Sequence, residues 1–431
     1  MTAVTSPNPS TSAEGRFAPR RRLLYLSMQD PDLENNGSTV RMGAFVKHLA
    51  RHCDLSLVHL AGAGHRVDPQ IEARFRDRDN RLGLADRVRV DFSTPGYFLF
   101  SPALYHAADR MLRTRRFDVL LADYGLAAIY GRILAASHSV PLIYSSHNVE
   151  YRLYWTQRWN DPRRALLTPF VFWAERAACR AAALVVAISE ADRQAYARWI
   201  PDERIEMLPQ GFDPELYHPF YPAPPESPAI VLFVGSFRDG YNRQAGEAIV
   251  RQIAPAVARV RSDIIFRLVG AGAPGDWAGG NVQVAGFVDD IAPEYRRANL
   301  ILAPMPYGAG MATKVVQGLA FGKTVLTTEG GAGSIPRRYR QMVVAPLDQF
   351  PAEIVRCLAA SESMDSGDFA TLRAEFGWPD LMARLQLRLE RVFAERSGVG
   401  IPGGYDDEQG IEARARPRPD GPVSLGGRPT I

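Results

Sequence analysis

Lys314 and Gln317 stand three residues apart behind a glycine-rich loop, and those types at that spacing suit a nucleoside diphosphate. The apolar run Leu300, Ile301, Leu302 reads as a strand leading into the loop. Gly308 and Gly310 let the backbone turn tightly and come close to a ligand. A helix that begins behind them, with Met311, Ala312 and Thr313 at its leading edge, aims free N–H groups and a positive dipole end at whatever lies above. That arrangement favours a phosphate. Lys314 falls in the first turn of this helix and Gln317 on the same face. A cation and an amide side by side would take a diphosphate and a ribose hydroxyl.

These residues need a scaffold that brings loops to one sheet edge. Short apolar runs at 22–27, 54–60, 88–92, 117–121, 141–145 and 183–188 form one series of strands. A second series runs through 230–235, 264–269, 282–285, 299–303 and 324–328. The segments between them, such as 38–51 and 243–260, carry helical periodicity. This alternation predicts an α/β fold of parallel sheets built from βαβ units. The proline-rich stretch from Asp213 to Pro225 separates the two series and predicts two Rossmann-like domains.

Composition sets the class. A chain of 431 residues with 46% hydrophobic and 23% charged residues is globular and long enough for two domains. The net charge of +4, from 51 basic and 47 acidic residues, is too balanced to imply nucleic-acid binding. Lys47, Lys314 and Lys323 are the only lysines among many arginines, and a compact ammonium suits a phosphate as a point charge. Cys53, Cys179 and Cys357 have no paired spacing, which predicts neither disulfides nor a zinc site and fits a reducing cytoplasm. No stretch approaches a membrane span.

Other clusters fall at predicted strand ends. Ile230–Val234 ends in Gly235 and Ser236, with Arg238, Asn242 and Arg243 close behind, so small residues and free N–H groups would line a carboxyl edge. The alternative is a plain turn with solvated arginines. His147 follows the strand ending at Tyr144, where it is either a satisfied loop histidine or a ligand-facing one. Gly37, Ser38 and Arg41 open a helix after the first strand. They are either a phosphate or acceptor loop, or a solvated loop capped by Ser38. Gly270-Ala271-Gly272-Ala273-Pro274-Gly275 matches a dinucleotide fingerprint, but Pro274 to Asn281 has the composition of a loop rather than the helix that reading requires. Asp289 and Asp290 are read as caps of the next helix. Tyr97-Phe98-Leu99-Phe100 and the stretch from Tyr151 to Trp173 are rich in aromatics. The second is also rich in arginine, and is read as an amphipathic packing helix or as an acceptor or membrane-surface patch.

The 308–328 string is similar to the donor-site signature of retaining glycosyltransferases of family 4 (group 1), G-x-G-x-x-x-K-x-x-E-A-x-A-x-G-x-P-V-V-x-T. Gln317 stands where the family has its ribose-binding Glu, and Ala309 where the earlier Glu would fall. Gln retains an acceptor but not the stronger charge-assisted bond. Ser236 replaces the common Arg after Gly235. The resemblance covers about residues 22–396. It implies a GT-B fold, with two Rossmann-like domains facing each other across a cleft. The boundaries would be a disordered tail 1–20, an acceptor domain 21–212, a linker 213–228, a donor domain 229–376, a helix 377–397 crossing back, and a disordered tail 398–431. It further implies that Gly270 lines the nucleotide pocket, that backbone at Phe287 and Val288 reads the base, and that His147 lies beside the transferred sugar. Lys314 and Arg238 would neutralise the leaving diphosphate in place of a metal, with Gly235 and Gly310 donating backbone N–H groups. No cofactor is implied beyond the nucleotide-diphospho-sugar as co-substrate.

The acceptor stays open among a glycan, a lipid-linked sugar and a small aglycone. The site is cytoplasmic, with peripheral contact at the inner membrane face an open alternative. Two other readings stand beside transfer. One is a degenerate, non-catalytic member that binds a nucleotide-sugar or acts as a scaffold. The other is a nicotinamide oxidoreductase resting on 270–275.

Overall fold

The computed structural model describes residues 20–30, 37–61, 84–91, 101–159, 161–216, 228–305, 313–333, 335–360 and 364–397. Seven parallel strands form the first sheet: β1 (Arg22–Ser27), β2 (Asp54–Ala61), β3 (Asp86–Asp91), β4 (Val119–Asp123), β5 (Leu142–Ser145), β6 (Leu184–Ala187) and β7 (Ile205–Met207). Their order is β3-β2-β1-β4-β5-β6-β7. Six form the second: β8 (Ala229–Val234), β9 (Ile264–Val269), β10 (Val282–Gly286), β11 (Leu300–Ala303), β12 (Val325–Thr327) and β13 (Met342–Val344). Their order, β10-β9-β8-β11-β12-β13, repeats the first pattern. In each sheet the strand order reverses once, between β1 and β4 and between β8 and β11, with all strands parallel. In open α/β sheets, ligands gather outside the strand ends at that switch point.

Both faces of each sheet are covered, so the strands are apolar throughout instead of alternating with polar residues. Leu24 and Leu26 join one core, while Leu23 and Tyr25 join the core on the opposite face. In the second sheet Leu232 and Ile301 lie on one side, and Val231, Phe233 and Leu302 on the other.

β7 and β13 were not foreseen. Each has three residues and lies at a sheet edge, too short to show a pattern. The predicted helix at 243–260 runs as Gly240–Ala248, a π-turn at Ile249–Ile253, and Ala254–Ala258.

The last helix, Trp378–Ser397, packs on the first sheet. Leu381, Leu385, Leu389 and Val392 recur at helical spacing and meet Met42, Phe45 and Leu49. The chain passes between the halves at two neighbouring points. Phe212 N–H donates to the Phe376 carbonyl at 2.8 Å, and Trp378 N–H donates to the Phe212 carbonyl at 2.9 Å. A Cβ on Gly211 would lie 2.6 Å from the Trp378 ring, so only glycine admits this crossing. Most of the proline-rich linker and both predicted tails lie outside the described residues.

Candidate active site

At the first switch point β4 ends in Asp123, and β5 beside it leads to His147. His147 Nε2 lies 2.9 Å from Asp123 Oδ1, and both side chains are buried. Tyr124 follows at φ 85°, a left-handed conformation unusual for a non-glycine residue, and its ring tilts over His147 at 5.5 Å.

The His147 loop is fixed from below by a buried carboxylate. Glu175, on the helix Pro162–Ala181, accepts the Glu150 and Tyr151 N–H groups at 3.0 and 3.2 Å. It also accepts the hydroxyls of Tyr144 and Tyr196 at 3.1 and 3.0 Å. Those N–H groups open the helix Glu150–Thr156, so Glu175 caps it from another element. Burial pushes Glu175 up to about 7 and Glu150, which also faces Glu175, up to about 8. The four donors around Glu175 oppose that rise by favouring its charged form.

Arg41 is fully buried on the helix Gly37–His52. Nη1 donates to the Pro209 carbonyl at 2.9 Å, and the guanidinium lies 4.7 Å from the Phe45 ring centre. Burial lowers its pKa to about 10, opposed by the nearby charges of Asp123 and Asp192, so it remains a cation at neutral pH. Nε and Nη2 have no partner. Buried donors without partners mark a place for ordered water or a ligand oxygen. Ser38 is the second residue of this helix and not its cap. Asp123→Ala is expected to cost about 2 to 3 kcal/mol, because it removes carboxylate charge that compensates the buried Arg41. A denaturant midpoint unchanged from the parent would refute that role.

At the second switch point β8 leads into Gly235, which lies against the side chain of Asn242. A Cβ on Gly235 would lie 2.8 Å from Asn242 Oδ1. Asn242 Nδ2 donates to the Ser236 carbonyl at 3.0 Å. Lys314, second residue of the helix Thr313–Ala320, points back into this corner. Its Nζ donates to Asn242 Oδ1 at 2.6 Å, sits 3.6 Å from Met305 Sδ, and lies 4.5 Å from the Phe233 ring centre. Lys314 is 8% exposed, and burial drops its pKa to about 7, with Asp239 only partly opposing. The sequence places this lysine in the first turn of a helix that faces a ligand. The structure buries it, because Phe233 and Asn242 close over it from β8 and the helix behind.

The other predicted residues fall around this corner. Gly270 takes φ 141°, and a Cβ there would lie 1.9 Å from the Gly235 carbonyl oxygen. Gly272 takes φ 81°, and a Cβ there would lie 2.7 Å from Cγ of the exposed Arg238. Arg243 points along its own helix to Glu247 at 3.5 Å. Phe287 and Val288 follow β10, half-buried at the strand's carboxyl end. Asp290 accepts the Ala292 N–H at 2.9 Å at the start of the next helix. Gln317 does not join Lys314: its Oε1 accepts the Tyr295 hydroxyl at 3.0 Å. Gly308, Gly310, Met311 and Ala312 lie outside the described residues, as do Tyr97 to Phe100.

The two corners meet. A Cβ on Gly37 would lie 2.6 Å from Thr313 Oγ1, so the start of the helix Gly37–His52 closes directly on the start of the Lys314 helix. Asp123 was missed from sequence. The available signal was an acid closing an apolar strand, Val119 to Ala122, just before a glycine.

Two Rossmann-like domains whose ligand-binding edges face one another are the architecture of GT-B glycosyltransferases. The profile of Glycosyltransferase Family 4 matches residues 36–216, and that of Glycosyl transferases group 1 matches residues 228–360. The chain belongs to that family, and it is a glycosyltransferase by both halves. No curated protein sequence matches it. Among solved structures it is similar to Anabaena Alr3699/HepE in complex with UDP and glucose, with a TM-score of 0.64 at 16% identity over 86% of this chain and 99% of that one. Sucrose-phosphate synthase from Thermosynechococcus elongatus gives a TM-score of 0.64 at 16% identity, over 87% and 100% of the two chains. The α,α-trehalose 6-phosphate synthase from Burkholderia multivorans gives 0.58 at 14% identity, over 88% and 98%. Among the described residues no helix is long and apolar enough to cross a membrane.

Proposed function

We propose that this glycosyltransferase takes its sugar from a nucleoside-diphospho-sugar, retains the anomeric configuration, and uses no metal. The observation that carries this reading is Lys314, buried at a helix start and bonded to Asn242, next to Thr313, which meets Gly37 of the first domain. A diphosphate there would meet the backbone N–H groups at the head of the Lys314 helix; the Gly235 N–H expected from the sequence is not among them, because it donates to the Val269 carbonyl at 3.0 Å. The helix N–H groups are fixed donors in a dry site, aimed where charge develops as the bond to the sugar breaks. His147, oriented by Asp123, would contact the sugar from the opposite edge. The acceptor hydroxyl would attack the anomeric carbon on the face the diphosphate leaves, and its proton would pass to the departing phosphate oxygen. Structures similar to this chain hold UDP and UDP-glucose, which supports a nucleotide donor. We propose a cytoplasmic site of action.

The test is calorimetric binding of UDP, GDP, dTDP and ADP without metal. Preference for one names the base, and binding of none removes the donor site. Lys314 adds a signature. A diphosphate restores its charge, so binding at pH 8 is expected to take up about one proton, and binding at pH 6 almost none. The measured enthalpy should therefore depend on the ionisation heat of the buffer at pH 8. Equal enthalpies in Tris and HEPES would place Lys314 away from the phosphate.

A second reading, a donor-binding member without turnover, is favoured by one contact. The Gln317 oxygen that would take a ribose hydroxyl already accepts from Tyr295. Tight UDP binding with no transfer to any acceptor tried would favour it.

A further inference from the structure

The helix Pro162–Ala181 has two apolar faces, and only one is used for folding. Val171, Ala178 and Cys179 are buried toward the sheet, and Phe172 packs edge-on against Tyr151 and Trp199. On the outside, Leu166, Phe170 and Trp173 recur at helical spacing and are 82%, 54% and 61% exposed. Trp155, on the short helix just before, is 52% exposed. Eight large hydrophobics stand out among the described residues, and these four fall within one short stretch of chain. Scattered exposed apolar residues need no explanation, but a contiguous stripe marks a surface meant to be covered.

The charge around the stripe identifies what covers it. Arg163 and Arg180 lie at its two ends on the same side of the helix, both exposed. Arg176 lies over the Trp173 ring at 5.2 Å, and Arg158 over the Trp155 ring at 4.1 Å. From Tyr151 to Ala181 there are six arginines and two acids, Asp161 and Glu175, of which Glu175 is buried. A stripe of Leu, Phe and Trp edged by arginines, with almost no facing carboxylate, complements an anionic lipid surface. The rings enter the headgroup boundary and the guanidinium groups meet phosphates.

We propose that this face docks the protein on an anionic bilayer. The proposal is independent of which nucleotide the cleft takes. The docking helix holds Glu175, the same residue that caps the His147 loop, so the membrane side and the first-domain edge of the cleft share one support.

The test is sedimentation of the full chain with vesicles of phosphatidylcholine alone or mixed with phosphatidylglycerol. Binding is expected only to the mixed vesicles and should weaken as salt rises. The variant Leu166→Gln, Phe170→Gln, Trp173→Gln alters solvent-facing positions only, so its melting temperature should match the parent. Its partition onto mixed vesicles should fall at least about tenfold. No binding of the parent to mixed vesicles overturns the proposal, as does a folded triple variant that still binds. A lipid-free dimer that the triple variant abolishes also overturns it, by assigning the face to a second copy of the chain.

Discussion

The Lys314→Met protein is expected to fold and to lose about two to three orders of magnitude in kcat/KM, the usual effect of removing one fixed donor from a transition-state site. Methionine keeps the volume and the contact with Phe233 while deleting the ammonium. Stability separates this loss from a folding defect. Lys314 holds its proton less well folded, at about 7, than unfolded, near 10.5. Between those values the unfolded chain binds more protons, so the parent gains stability as pH rises through that window and loses it as pH falls toward 7. The methionine variant lacks this slope, and at neutral pH it should be at least as stable as the parent. Denaturant midpoints across pH 7 to 9.5 would show it. Full transfer activity in the variant would remove Lys314 from the donor site.

Gly270→Ala should produce the largest loss of stability. Two penalties coincide there. The backbone stands at φ 141°, a region closed to residues with a Cβ, and the added carbon would lie 1.9 Å from the Gly235 carbonyl oxygen. Neither atom is the end of a flexible side chain, so β8 and β9 must separate. A cost of about 3 kcal/mol or more follows, or a fall in melting temperature of about 10 °C. Because Gly235 moves, nucleotide affinity should fall with it. Gly240→Ala is the control: it opens a helix, and nothing lies within 4 Å of the added carbon. A Gly270→Ala melting point within a degree or two of the Gly240→Ala protein would contradict this geometry.

The sheets were legible in the sequence because parallel strands buried on both sides leave uninterrupted apolar runs. Ile230 to Val234 and Pro141 to Tyr144 are such runs, each closed by small residues. Gly235, Asn242 and His147 were found because they follow those closings. Contacts between elements distant in sequence were not legible. Asp123 reaches His147 only because β4 lies beside β5, and no spacing rule joins positions 24 residues apart. Spacing placed Lys314 and Gln317 on one helix face, but it could not show that Asn242 draws one inward while Tyr295 draws the other aside.

The paired crossings at Phe212 and Gly377 carry a mechanical consequence. The chain leaves one half and returns to it through two segments hydrogen-bonded to each other beside the Trp378 ring. Two tethers at one spot act as a hinge pin. They leave the halves free to swing but resist sliding, so the Gly37 edge can part from Thr313 and return to it along a single arc. A substrate entering the cleft would then find the two edges out of contact or in register, with few misaligned closures between.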